Sequence, residues 1–533
     1  MKTKNMKKLY NIFLYTFLGI VAASCVDDLD TEPLDKDVTT SAIVLDDDAA
    51  YKQFLAKLYG GLTLTGQAGG SGQPDIPSGD EGTTSFMRPY WTMQEITTDE
   101  AIAAWNDAGL TDFHGHSWSS RNVLSELLYQ RLFVNIAYCN EYVREVGQRV
   151  DGLDGELQDE VRLYLAEARF LRALYYYFAM DLYGNVPFVT EEDGVGAYLP
   201  EQISRADLFS YIESELIETI PSMAAPRTNE YGRADQAAAW MVLAKMYLNA
   251  EVYLGDGNDR YTECITYSKQ IIDAGYSLHS EYEELFLADN DELDNEIIFR
   301  VVEDGSSGQN YGGTTFIVHA AAGDAPEATF GISGGWFGNR VTPSFVERSF
   351  DDPSGETDER ALFITEGQTL AIEDPFDFTQ GYLCMKFRNL TSEGIAGSNT
   401  TFVDTDFPLF RLADVYLMYA EAVERGGTGG DETTALGYVN ELRERAYGDD
   451  SGNIDAADLT LNFLINERGR ELYWEAHRRT DLIRFNLFTT GTYTWDWKGN
   501  VRNGAPTSPI YRLFPIPFTD IVANTNLEQN TGY

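Results

Sequence analysis

Acidic side chains give this sequence its most evident chemical potential. Two clusters, Asp289-Asn290-Asp291-Glu292 and Asp404-Thr405-Asp406, offer the hard oxygen ligands that calcium takes, although neither satisfies the EF-hand loop. His114 and His116, in His-Gly-His, have side chains that bind transition metals, but the pair reads more simply as part of a surface loop. Glu467 and Glu471 are the carboxylates to weigh for glycoside hydrolysis. That chemistry needs carboxyls roughly 5–10 Å apart across a cleft, whereas residues four apart share one helix face. Together with Arg169, Arg172, Arg468 and Arg470, they are better explained as members of ion pairs between helices.

A second kind of chemistry sits at the start of the chain. Lys2, Lys4, Lys7 and Lys8 precede an apolar run from Leu9 to Val21, which leads into Ala22-Ala23-Ser24-Cys25. A basic segment, a short apolar core and small residues before a cut make a signal peptide over 1–24; the run is too short to cross ~30 Å of hydrocarbon. Small residues leading into cysteine resemble a bacterial lipobox, so Cys25 is expected to carry a diacylglycerol on sulfur and another acyl chain on its freed amine. Such chains bury CH₂ groups at about 0.8 kcal/mol each and anchor a body that has no spanning helix. Residues 25–40, beginning Cys25-Val26-Asp27-Asp28-Leu29-Asp30, would be a lipidated acidic tether.

The formal charge is −46, and loss of the four signal lysines makes it more negative still. Nucleic acid and anionic headgroups are therefore excluded as partners, while a neutral ligand suits this surface. Apart from Cys25, the cysteines are Cys139, Cys264 and Cys384, and their spacing builds neither a disulfide framework nor a zinc site.

The elements that must position these groups are mainly helices. Three- and four-residue apolar spacing predicts helices over 46–62, 120–147, 157–183, 204–221, 234–253, 261–274, 411–425, 432–446 and 460–485, with Leu124, Leu127, Leu128, Leu132 and Ile136 on the core face of the second. Small residues alternate with large ones in Ala238-Trp240-Leu243-Ala244-Tyr247 and Leu412-Tyr416-Tyr419-Ala420, the way paired helices approach in tetratricopeptide-type repeats, although the strict repeat signature is absent. The fold is thus expected to be mainly α, a tetratricopeptide-like scaffold with a large irregular insertion containing small β elements. A single body over 41–533 would have a helical core over about 41–62, 120–274 and 406–533, and a loop-rich part over about 63–119 and 275–405. Strand-like runs fall at 296–302 and 315–318. The long loop before residue 120 is rich in Gly, Trp, Tyr and His, and uncovered loops of that length are usually functional.

Five segments in order resemble the SusD/RagB family of surface glycan-binding lipoproteins of Bacteroidota. They are Glu167-Ala168-Arg169-Phe170-Leu171-Arg172-Ala173 with Leu182-Tyr183-Gly184-Asn185-Val186-Pro187; Gly232-Arg233-Ala234-Asp235; Arg411-Leu412-Ala413-Asp414; Asn466-Glu467-Arg468-Gly469-Arg470-Glu471; and Leu513-Phe514-Pro515-Ile516-Pro517. Within that family the chain looks most like the starch-binding member, through Asp80-Glu81-Gly82 with Arg88, Thr98-Asp99-Glu100 with Trp105, Asn310-Tyr311-Gly312-Gly313-Thr314, Gly335-Trp336, and Trp495-Asp496-Trp497-Lys498-Gly499.

The resemblance implies a non-catalytic receptor for starch and maltooligosaccharides on the outer face of the outer membrane, held by its lipid and delivering glycan to a SusC-type TonB-dependent transporter. By the same resemblance Trp105, Tyr311 and Trp336 form an aromatic arc for the curved face of an α-glucan, and Asp80 and Arg88 grip hydroxyls at its edge. Stacking on C–H faces and hydrogen bonding around the rim are what a sugar ring requires. The pattern has an asparagine where this chain has Ala108 and a second tryptophan where it has Ala103, so Asn106, or else Asp107, is expected to substitute. Asp291, Asp404 and Asp406 are implied to converge on one structural calcium. The alternatives are a receptor of this kind for another glycan and a surface glycoside hydrolase.

Overall fold

In the computed structural model, residue 45 and residues 47–533 are described, except 67, 71–73, 195, 197 and 325; the signal segment, Cys25 and the tether lie outside them. The chain divides into two units, Met1–Tyr51 and Lys52–Tyr533. Of the first, residue 45 and residues 47–51 are described, ending in the opening turn of helix α1 (Asp48–Thr63); the second holds the remaining elements.

The described residues contain seventeen α-helices and eight short strands. The helical scaffold is built from α4 (Val123–Gly147), α5 (Gly155–Tyr183), α6 (Arg205–Thr219), α7 (Gln236–Leu248), α9 (Tyr261–Asp273), α13 (Leu412–Glu424), α14 (Glu432–Tyr447) and α15 (Leu461–Leu472). Successive neighbours pack together: α4 on α5, α5 on α6, α7 on α9, α9 on α13 and α13 on α14, the arrangement of a tetratricopeptide-like array. Local chemistry sets the ends. Asn122, Ser204, Asp235, Asp431 and Thr460 each accept a backbone N–H in the first turn of the helix that follows, and α5 stops at Gly184, whose φ is 75°. Ala237, Ala238 and Ala239 on α7 are fully buried, and their small size lets the neighbouring helices approach closely.

The centre of the scaffold is ionic. Arg411 donates to Glu296, Glu471 and Glu475; Arg360 donates to Asp358, Glu467 and Glu471; and Lys386 reaches Glu475 at 2.6 Å. All of these side chains are buried. Burial alone would push the Glu467 carboxyl up, but Arg360, Arg470 and Arg443 outweigh it and hold it at about 2. Glu471 is likewise held low against its burial by Arg445, Arg411 and Arg360. The two carboxylates weighed for hydrolysis are thus neutralised inside the core.

Three expectations from sequence are corrected. The predicted helix over 460–485 is two, α15 and α16 (Arg478–Arg484), because Trp474 and Ala476 take φ of 63° between them and give their N–H groups to Glu100 and Glu95. The strand-like run at 315–318 lies within helix α10 (Gly313–Ala321), buried throughout, whereas 297–301 does form strand β4. His114 and His116 are buried rather than on a surface loop: they lie in and just after the short helix α3 (Thr111–Gly115), and burial pushes them down to about 4 and about 3.

Among the described residues, no helix is long and apolar enough to cross a membrane. The cysteines Cys139, Cys264 and Cys384 are free and buried.

Candidate functional site

Arg88 lies in the first turn of α2 (Met87–Glu95), a helix buried along most of its length. Trp91, one turn further on, anchors it by donating Nε1–H to the Trp474 carbonyl at 2.9 Å and packing edge-on against Trp474 and Phe316. The Arg88 guanidinium sits 4.8 Å from the Phe316 ring of α10 and 3.0 Å from Asp80 Oδ2. Asp80 is in turn fixed as the cap of a 3₁₀ turn, accepting the Gly82 N–H at 3.2 Å. Burial lowers the Arg88 pKa below the usual guanidinium value, and the carboxylates of Asp80 and Asp107 oppose that shift. A desolvated guanidinium with a half-exposed carboxylate beside it provides donors and acceptors set for hydroxyl groups.

The aromatic residues reach the same place through β-pairing. Strand β1 (Ala101–Ala103) runs antiparallel to β5 (Asn339–Val341), with Ala103 opposite Asn339. The Ala104 N–H to Gly338 carbonyl bond, at 2.8 Å, carries the pairing one step further, and Trp105 then donates Nε1–H to the Trp336 carbonyl at 3.1 Å. Position 338 must be glycine, because a Cβ there would stand 2.2 Å from the Trp105 ring. Trp336 stacks on His319 of α10, with centroids 4.8 Å apart and planes at 23°, and lies 6.3 Å from the Tyr311 ring. Tyr311 packs against Phe402, and its carbonyl lies so near Gly82 that a Cβ there would stand 2.5 Å away. Thus the segment carrying Asp80 and the one carrying Tyr311 meet directly.

Together these side chains line a cleft of about 590 Å³. Asp80, Arg88, Trp105, Tyr311 and Trp336 all belong to it. Asn106 is exposed and does not line it, whereas Asp107 and Ala108 do. Several lining residues were not foreseen, among them Thr92, Phe316, Val123 and Leu124. Leu124, read from its spacing as a core residue of α4, faces the cleft beside Val123, which is 50% exposed; the Asn122 cap was the available signal that a helix begins there. A larger cleft of about 830 Å³ lies elsewhere, around Asn185, Arg205 and Arg512, and has no aromatic lining.

The acidic residues expected to hold calcium are not brought together, and among the described residues no group of three or more His, Cys, Asp or Glu is placed to hold a metal. Asp406 is buried and its oxygens are engaged, accepting from Tyr231 Oη, from Arg300 Nη1 at 3.3 Å and from the Glu303 N–H at 2.9 Å. Burial raises its pKa to about 6 despite Arg300. Asp404 accepts the Gly305 N–H at 2.8 Å, the Ser398 hydroxyl at 2.8 Å and the Ser398 N–H, while Asp291 is exposed. A cation bound there would have to displace a guanidinium from Asp406 and N–H donors from Asp404 and Asp406.

The chain matches two family models: one described as the SusD family, over residues 250–533, and one described as starch-binding and associating with the outer membrane, over residues 80–248. It is 36% identical to the starch-binding protein SusD of Bacteroides thetaiotaomicron over 100% of both chains. It is 26% identical to SusD-like protein P25 of Formosa agariphila, over 78% of this chain and 83% of that one. Among solved structures, a SusD superfamily protein from Parabacteroides distasonis superposes with a TM-score of 0.70 at 22% identity, covering 93% of this chain and 100% of its own. Surface glycan-binding protein A from Bacteroides thetaiotaomicron, solved in complex with laminarihexaose, gives 0.69 at 21% identity, covering 91% and 99%. The structural likenesses fix the fold, and the sequence matches, spanning both the helical scaffold and the cleft segments, place this chain in the SusD family.

Proposed function

We propose that this protein is a non-catalytic receptor, tethered through Cys25 to the outer face of the outer membrane, which captures starch and maltooligosaccharides and passes them to a SusC-type TonB-dependent transporter. The observation that carries the ligand class is the single cleft in which Trp105, Tyr311 and Trp336 stand with the Asp80–Arg88 pair. Flat apolar faces beside a charged hydrogen-bonding rim match a chain of sugar rings. Identity to a starch-binding protein across the whole chain supports α-glucan as the ligand, and the outer-membrane description of the model matched by residues 80–248 supports the location. The lipobox reading supports the anchor, and membership of the family supports the transporter as partner. Burial of Glu467 and Glu471 in ion pairs favours capture over hydrolysis.

Affinity electrophoresis tests the ligand. Retarded migration in amylopectin gels is expected. Unchanged migration in amylopectin with retardation in laminarin would move the assignment to a β-glucan, and release of maltose or glucose from maltoheptaose would overturn the non-catalytic role.

A further inference from the structure

Phe337 directly follows Trp336 but is not part of the cleft lining, and two features of it run against ordinary folding preference. Its φ is 56°, a left-handed backbone that is costly for an aromatic residue, and the residue is 39% exposed. The conformation is held by hydrogen bonds on both sides: Trp336 N–H to the His319 carbonyl at 2.8 Å, Phe337 N–H to the Ala322 carbonyl at 3.1 Å and Gly338 N–H to the Ala320 carbonyl at 3.0 Å. The ring packs edge-on against Phe378, with centroids 5.1 Å apart and planes at 65°.

The second ring is fixed as firmly as the first. Arg340, on β5 and fully buried, donates to the carbonyls of Pro375, Asp377 and Gln380 and so ties down the loop that carries Phe378. Phe376 on the same loop is 51% exposed. Aromatic surface kept in solvent on a strained, well-anchored backbone has the character of a contact surface rather than of a turn, where glycine would serve without strain.

We infer that Phe337 and Phe378 form a further aromatic subsite just outside the cleft, which receives the sugar units of a glucan that extend past Trp336. This rests on the reading of the cleft as a glucan site. It makes the protein a binder of polymers and long oligosaccharides, with the short ligand held by the cleft alone.

The test uses Phe337→Gly, because glycine relieves the left-handed strain and folding is preserved. Expected results are a melting temperature at or above that of the unaltered protein, unchanged affinity for maltotriose, and binding of amylopectin and long maltooligosaccharides weaker by about three- to tenfold. Phe337→Tyr should bind as the unaltered protein does. If Phe337→Gly and Phe378→Ala both bind amylopectin normally while Trp105→Ala does not, the subsite is overturned and the cleft stands. If the unaltered protein binds neither amylopectin nor laminarin, the glucan reading falls, and the subsite falls with it.

Discussion

The imidazole of His319 lies nearly parallel to the indole of Trp336, 4.8 Å away between centroids. Its Nδ1 is 2.6 Å from the Gly334 carbonyl oxygen and its Nε2 2.9 Å from that of Thr401; a neutral imidazole donates to one of them and an imidazolium to both, and in either form the ring face supports the tryptophan. Burial lowers its pKa, and the two carbonyls oppose that shift. His319→Ala should leave a void behind Trp336 and weaken α-glucan binding by about three- to tenfold, while His319→Phe, which keeps a stacked face, should bind nearly as the unaltered protein does. Isothermal titration of both variants checks this; normal binding by the alanine variant would show that Trp336 needs no such support.

Gly338→Ala puts a methyl group where the Trp105 ring now lies. Trp105 should be pushed from its place, with glucan affinity falling about tenfold or more, as for loss of a principal contact. Fluorescence of the tryptophans and titration with maltoheptaose would detect both changes. Binding equal to that of the unaltered protein would mean that Trp105 is not a ligand contact.

Asp107 faces the cleft and Asn106 does not. Asp107→Ala is expected to lower maltoheptaose affinity by about three- to tenfold, and Asn106→Ala to change it by less than about twofold. The reverse ranking would restore Asn106 as the residue that compensates for Ala108.

Arg411 is enclosed by Glu296, Glu471 and Glu475 in the core. Truncating it leaves buried carboxylates without their partner, and Arg411→Ala should destabilise the protein by about 3–5 kcal/mol in urea titrations. A loss below about 1 kcal/mol would mean that the remaining cations suffice.

Glu303 lies beneath the Tyr311 loop, accepting from Asn310 Nδ2 at 3.1 Å, and burial raises its pKa well above the ordinary carboxyl value. The folded protein therefore binds this proton more tightly than the unfolded chain, and the stability it contributes is present below about pH 4.5 and lost as pH rises above it. Glu303→Gln removes the titration. The melting temperature of the variant relative to the unaltered protein should rise by about 1–3 °C between pH 5 and pH 8. A difference independent of pH would place the ionisation elsewhere.

The helices were legible from sequence because their apolar spacing and caps are local properties, and most observed ends fall within a few residues of those expected. The break between α15 and α16 was not, since it depends on Glu95 and Glu100, which accept the N–H groups of Ala476 and Trp474 from far away in the chain. Thr315-Phe316-Ile317-Val318 read as a strand because a short, fully buried apolar run has no polar face to reveal its period. In the cleft, Trp105, Tyr311 and Trp336 were identified through family resemblance; nothing in their spacing announces that β1 and β5 bring them together. Val123 and Leu124 were hidden because apolar residues at the start of an amphipathic helix look like core.

Pairing of β1 with β5 also bears on when the cleft comes into being. Its walls come from residues near 80, 105, 311 and 336, so forming it means closing a chain loop of more than two hundred residues, a step that belongs late in folding. A chain in which β1 and β5 have not yet paired has no such platform. Glucan capture would then report that the whole polypeptide has matured, so a short pulse of sugar during refolding should find binding appearing after helical circular dichroism has levelled off.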